Sequence, residues 1–216
     1  MKKNMLVVAA CLLFPLFSCL AGGASEKLPI GFPGNPVDTA SVQAPLSGGT
    51  QNSMKDGVNA LVVYFSWSGN TRAVASEIQR QTGADILELI PEQPYTEDYN
   101  ELLNVAQRER RNHVRPAIAG RGADIDAYDV IFLGYPNWWA DMPMIIYTFL
   151  DQYDLSGKVI APFCTSGGSG LSGSVGTIRS LEPESQIMDG LHVSGSSASR
   201  PGDAVAKWLA GLGMDR

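Results

Sequence analysis

The chain has 216 residues, is 44% hydrophobic and 18% charged, and carries a formal net charge of −6. That length and apolar content suit one globular domain with an ordinary core. The acidic balance excludes the broad basic surface that nucleic-acid binding requires. The one basic concentration, Arg108, Arg110, Arg111 and Arg115, is interrupted by Glu109 and reads as a solvated helix face.

The N-terminus opens with Lys2 and Lys3, followed by an apolar stretch over residues 5–17 that is too short to span a bilayer. Residues 1–18 therefore read as an export signal. Leu16-Phe17-Ser18-Cys19 resembles a bacterial lipobox, which implies cleavage before Cys19, a lipid on that cysteine, and an exported, membrane-anchored protein on the periplasmic or cell-surface side. A plain secretory signal cut near Ala21 or Ala24 is the alternative. Loss of residues 1–18 removes two lysines and leaves 14 basic against 22 acidic residues, a net charge of −8. Residues 19–57 are rich in Gly, Pro, Ser and Ala without apolar periodicity, and read as a flexible tether. The folded domain is expected over residues 58–216. Of three cysteines, Cys11 lies in the signal and Cys19 at the lipid site, so Cys164 stands alone and no internal disulfide forms. Following an apolar run, Cys164 reads as a small buried hydrophobe.

Five apolar runs alternate with helical patterns. Residues 60–65 form a first, unbroken apolar strand, as expected where both sheet faces are covered. A helix over residues 72–81 follows, with Val74 and Ile78 inward and Gly83 as its C-cap. Residues 84–90 read as a second strand ended by Pro91. An amphipathic helix then carries Tyr99, Leu102, Leu103 and Ala106 on one face, with Thr96 as its N-cap, and fades before Arg115-Pro116. Strands over 128–134 and 158–163 and a less regular one over 186–193 alternate with helices over 142–152, 175–181 and 203–212. This βα alternation implies an α/β fold with a doubly wound parallel sheet and helices on both faces. Ligands in such sheets sit outside the carboxyl ends of the strands.

Three strand ends carry distinctive loops. After the first comes Ser66-Trp67-Ser68-Gly69-Asn70-Thr71, a hydroxyl-rich turn opening a helix. Backbone N–H groups, hydroxyls and the positive end of a helix dipole there suit a phosphate, although Ser, Thr and Asn also favour ordinary helix caps. The loop has no Lys and lacks the spacing of nucleotide triphosphatase and dinucleotide loops. After the third strand comes Pro136-Asn137-Trp138-Trp139, whose adjacent indoles cannot both bury on one face, so that one of them suits a flat ring unless it packs under the loop. After the fourth comes Thr165-Ser166-Gly167-Gly168, extended to Gly170, where glycines permit close backbone approach or simply a flexible crossing.

The three loops, in this order, resemble those of the flavodoxin family, whose phosphate loop is Ser/Thr-x-Ser/Thr-Gly-x-Thr. The resemblance spans residues 61–212. It implies a five-stranded sheet of order 2-1-3-4-5 and non-covalent FMN, with residues 66–71 on the phosphate, 136–139 flanking the ring and 165–168 at its polar edge. Many electron-carrying members have Gly where Asn137 stands, at a peptide that turns over as the flavin takes its first electron. Asn accepts positive φ less readily than Gly.

Three functions fit: an FMN electron carrier at a membrane surface serving a redox partner protein or small acceptor, an FMN-dependent NAD(P)H:quinone or small-molecule reductase, and a flavin-free surface binding module on the same fold. No catalytic acid, base or nucleophile stands out. His113 and His192 are isolated, and no His, Cys, Asp or Glu spacing suits a metal. The flavin would carry the chemistry.

Overall fold

The computed structural model describes residues 57–120 and 122–214. The expected signal peptide, the lipid site at Cys19 and the tether up to residue 56 lie outside the described residues. None of the helices among the described residues is long and apolar enough to cross a membrane.

The strands are β1 (Ala60–Tyr64), β2 (Asp85–Glu88), β3 (Val130–Pro136), β4 (Val159–Ser166), β5 (Gln186–Ile187) and β6 (Leu191–Ser194). The helices are α1 (Asn70–Thr82), α2 (Tyr99–Arg111), α3 (Met144–Gln152), α4 (Ser174–Leu181) and α5 (Gly202–Leu212). All strand pairings are parallel, and the sheet runs β2-β1-β3-β4 with β5 and β6 both on the outer edge of β4. This is the flavodoxin-like order 2-1-3-4-5, its fifth position filled by two short strands.

Sequence explains the break. Even-numbered residues of β4 face the outer edge: the carbonyls of Lys158, Ile160 and Ser166 accept N–H groups of Gln186, Met188 and Gly195. Pro162 falls in that series and has no N–H to give, so the ladder lapses between the β5 and β6 pairings. Gly190 lies in the gap, where a Cβ would come within 3.3 Å of the Pro162 carbonyl and 2.8 Å of Leu171.

Alternation along the central strands builds two cores. Val62, Tyr64, Phe132 and Phe163 point to the face covered by α1 and α5, against Val74, Ile78, Val205 and Leu209. Leu61, Val63, Ile131, Leu133 and Tyr135 point to the face covered by α3 and α4, against Ile145, Phe149 and Ile178. Each such side chain, fully buried, contributes roughly 1.5–3 kcal/mol. α1 ends at Gly83, whose left-handed φ of 74° lets its N–H reach the Gln79 carbonyl.

Three local expectations fail. β3 runs Val130–Pro136, so Pro136, expected in the loop after it, is held in the strand by its register with Thr165. α2 is capped by Asp98, not Thr96: Asp98 Oδ1 accepts the Glu101 N–H at 2.8 Å, while the Thr96 hydroxyl bonds the Glu101 carboxylate at 2.7 Å. Asp98 stands three residues before Glu101, the capping distance, and Thr96 does not. β4 continues through Ser166, so Thr165 and Ser166 belong to the strand rather than the loop after it, held by register with β3 and β6 despite their loop-like composition.

Candidate functional site

Because every strand is parallel, the loops after β1, β3, β4 and β6 emerge on one sheet edge and surround a cleft of about 480 Å³. Trp67, Ser68 and Asn70 of the first loop line it, as do Pro136 to Ala140 of the second and Thr165, Ser166, Gly167 and Ser169 of the third. Four expected residues do not line it: Ser66, Gly69, Thr71 and Gly168.

In the first loop, Gly69 has φ 87°, a conformation that glycine adopts without cost, and a Cβ there would meet nothing within 4 Å. The start of α1 carries no side-chain cap and no acidic residue in its first turn, leaving its N–H groups open to an anion. Ser66 lies beside a smaller hollow of about 140 Å³, and its Oγ is buried without a hydrogen-bond partner. Thr71 is fully buried, and its hydroxyl bonds that of Thr165 at 2.9 Å. The Trp67 indole donates to the Thr96 carbonyl at 2.9 Å, tying this loop to the approach to α2.

The aromatic loop divides its two indoles. Trp138 meets Phe65 and Tyr95 edge-to-face, with centroids 5.5 and 5.3 Å away, and packs against the second core while presenting one side to the cleft. Trp139 is 42% exposed. The loop closes as a two-residue hairpin, with Trp138 N–H to Asp141 carbonyl at 2.9 Å and the reverse bond at 3.1 Å. Its central residues, Trp139 and Ala140, have φ 55° and 64°, the geometry that Asn-Gly ordinarily supplies. Positive φ thus falls on Trp139 and Ala140, not on Asn137. Asn137 is instead a brace: its amide donates to the Gly170 carbonyl at 2.8 Å and to the Ser172 hydroxyl at 2.9 Å. Two bonds to α2 hold the strained turn: Arg110 donates to the Trp139 carbonyl at 2.9 Å, and the Trp139 indole donates to the Leu103 carbonyl at 3.1 Å. Asp141, the nearest carboxylate in sequence, does not line the cleft; it accepts the Tyr147 hydroxyl at 2.7 Å and the Met142 N–H at 2.9 Å.

Two parts of the site escape the sequence reading. Tyr99, Leu102, Leu103 and Ala106 of α2 form the cleft's outer wall; amphipathic spacing does not distinguish a helix facing a core from one facing a cleft. Gly195, after β6, is the second: its N–H bonds the Ser166 carbonyl at 2.9 Å, and a Cβ there would lie 3.3 Å from the Asn70 amide. The run Ser194-Gly195-Ser196-Ser197, similar in composition to the other loops, is the signal that marks it. Cys164 is fully buried, its thiol pushed up to about 12 by desolvation, and it donates to the Gly170 carbonyl as a structural group.

A phosphate group and a flat ring suit this cleft at opposite ends. The anion end has the open N–H groups of α1 with Ser68 and Asn70, while the rest of the lining supplies indole, tyrosyl and aliphatic walls.

Comparison with known proteins agrees with the architecture. Residues 59–212 match the family model described as Flavodoxin. A crystal structure of a candidate flavoprotein from Bacteroides eggerthii is 33% identical, with a TM-score of 0.64, covering 72% of this chain and 98% of that one. Another from Bacteroides uniformis is 29% identical, with a TM-score of 0.64, over 71% of this chain and 98% of that one. A Lactobacillus acidophilus flavoprotein in complex with FMN is 24% identical, with a TM-score of 0.56, over 65% of this chain and 95% of that one, and shares the fold. Among curated proteins none matches the chain. The family model covers the whole sheet and all three loops read from the sequence, and the chain belongs to the flavodoxin family.

Proposed function

We propose that this protein binds FMN non-covalently in the cleft and serves as an electron-transfer flavoprotein. The observation that carries the reading is the uncapped, acid-free start of α1, with Ser68 and Asn70 lining a cleft walled elsewhere by aromatic and aliphatic side chains; Ser66 of the same loop has a buried, unpartnered hydroxyl beside the neighbouring hollow. A buried hydroxyl without a partner costs about 1–3 kcal/mol, which a phosphate oxygen would recover. In this reading Ser66, Ser68, Asn70 and the first N–H groups of α1 hold the phosphate. Thr71 braces the loop through Thr165. Trp139, Tyr99 and Leu103 exclude water from one side of the ring, and Gly167 admits its polar edge to close backbone contact. Bound there, FMN supplies the one- and two-electron chemistry that the cleft's side chains lack.

The test compares FMN with riboflavin. FMN should bind far more tightly, and Gly69→Val should weaken FMN while leaving riboflavin nearly unchanged. Equal affinity for both flavins would reduce the loop to a helix cap.

One observation favours the reductase as a second reading. The glycine loop presents nothing larger than Ser or Thr to the cleft, so no bulky side chain from it blocks a second flat molecule from reaching the ring. Rapid oxidation of a nicotinamide cofactor with quinones would establish that reading over the carrier. We further propose, from Leu16-Phe17-Ser18-Cys19, that the mature chain is exported, lipid-anchored at Cys19 and serves a redox partner or small acceptor at that membrane. Cys19→Ala should move the protein from the membrane fraction to the soluble fraction; a wild type already soluble after export would leave the plain signal peptide.

A further inference from the structure

We propose that His192 is a positioning residue for the glycine loop and holds it in its cleft-lining shape only while the imidazole is neutral. The valence of one hydroxyl decides the arrangement. Ser166 Oγ accepts the N–H of Gly168 at 3.2 Å and that of Gly170 at 3.1 Å, and lies 2.8 Å from His192 Nε2. A serine hydroxyl has one proton and two lone pairs. Both lone pairs face amide donors, so the proton must go to Nε2. That nitrogen is then the acceptor, and the imidazole carries its hydrogen on Nδ1.

An imidazolium has an N–H at both ring positions. It would bring a third donor to an oxygen with no lone pair left. Either an amide bond of the loop or the His192 contact must then break. The loop depends on these bonds for its shape, because Gly168, Gly170 and Ser172 all hold positive φ, at 142°, 63° and 48°. Gly167 and Ser169 line the cleft, and the Ser166 carbonyl also anchors Gly195. One hydroxyl oriented by one imidazole therefore sets the third wall of the site.

His192 is half-buried, so its neighbours are those of the elements packed around it together with solvent. In-register pairing sets Cys164 of β4 beside His192, and its thiol is held neutral by burial. α4, which packs on this face, carries Arg179 as its only charged residue, and Asp189 precedes β6 with its backbone carbonyl bonded to the Trp208 indole. α5, across the sheet, contributes Asp203 and Lys207. Among the described residues no carboxylate is hydrogen-bonded or ion-paired to the ring.

This inference rests on the FMN reading for its affinity test but not for its tautomer test. The first measurement is the nitrogen-15 NMR pattern of His192 in the ligand-free full-length chain near neutral pH; the Nδ1–H tautomer is expected, and an Nε2–H tautomer would overturn the proposal. The second is FMN affinity, followed by flavin fluorescence, from about pH 8 to about pH 5, the range over which histidines titrate. Wild-type affinity should fall towards acid by up to about tenfold per pH unit once the ring is charged. The phosphate of FMN titrates as well, but equally in every variant. H192Q retains a neutral acceptor for the Ser166 hydroxyl and should lose the extra slope, whereas H192F should bind weakly at every pH. An identical slope in wild type and H192Q would overturn the proposal. If FMN fails to bind wild type at any pH, the FMN reading fails while the tautomer still decides the role of His192.

Discussion

The hydroxyls of Thr71 and Thr165, 94 residues apart in sequence, meet at 2.9 Å beneath the cleft, with both side chains buried. The contact joins the end of the first loop to the end of β4, so the anion end and the glycine loop share one anchor. Thr71→Val keeps the volume but leaves the Thr165 hydroxyl without its partner, and should cost about 1–2 kcal/mol. Thr71→Val with Thr165→Val removes both polar groups and should cost less than the two single changes together, by about 1 kcal/mol. Urea unfolding of the four proteins measures this; strict additivity would mean that the hydroxyls do not stabilise one another.

Ser66 makes the opposite case. Its Oγ is buried with no partner, so Ser66→Ala should leave ligand-free stability unchanged or raise it by up to about 1 kcal/mol. The same change should weaken FMN about tenfold, near 1.4 kcal/mol. Stability and affinity moving in opposite directions is the signature of a group kept for a ligand. A loss of both would show that the hydroxyl serves the fold.

How much of this was legible beforehand differs by element. β1 and β3 are unbroken apolar runs because both faces of the sheet centre are covered, and such runs announce themselves. The end of β4 was hidden: Thr165 and Ser166 have turn composition, and only register with β3 and β6 keeps them in the strand. The broken fifth strand was in principle readable from Pro162, but only once its neighbour on the edge side was known. The aromatic loop was found, yet not the division of labour in it. Two adjacent indoles in sequence do not say which one Phe65 and Tyr95 will enclose, since those partners come from other elements. Likewise, the apolar face of α2 was visible, while its use as a cleft wall depends on where the helix lands.

Glu109 gives a pH dependence. Burial pushes its carboxyl above the usual range, with the Tyr95 hydroxyl, 2.8 Å away, and Arg108 pulling against that shift. Tyr95 itself is pushed well above an ordinary phenol, by burial first and then by Glu109. The folded state therefore holds the Glu109 proton more firmly than the unfolded state. The resulting cost is absent below about pH 4, where both states are protonated, and grows as pH rises through the folded value. Glu109→Gln keeps an acceptor for Tyr95 and cannot ionise. It should stabilise the protein near neutral pH by less than about 1 kcal/mol, the group being half-exposed and screened, and by nothing below about pH 4. Equal effects at both pH values would show that ionisation is not the cause.

The two tryptophans should separate fold from site. Trp138 sits edge-on to Phe65 and Tyr95, so Trp138→Ala opens a cavity in that cluster and should cost about 2–4 kcal/mol. Trp139 is exposed and occupies a left-handed position that disfavours any side chain. Trp139→Gly relieves that backbone strain while losing the bond to Leu103, so its stability should change by less than about 1 kcal/mol. If the exposed indole covers the flavin ring, Trp139→Gly and Trp139→Ala should each weaken FMN roughly tenfold, with Trp139→Phe recovering part of the loss. Both should also raise the reduction potential, because an electron-rich indole favours the oxidised, electron-poor flavin. Arg110→Met, which frees the Trp139 carbonyl, should produce a weaker form of the same change without touching the indole. Unfolding curves, flavin titrations and anaerobic reduction of the five variants distinguish the roles. Should Trp138→Ala lower FMN affinity with stability intact while Trp139 variants bind normally, the ring lies against the buried indole and the roles given to the pair are reversed.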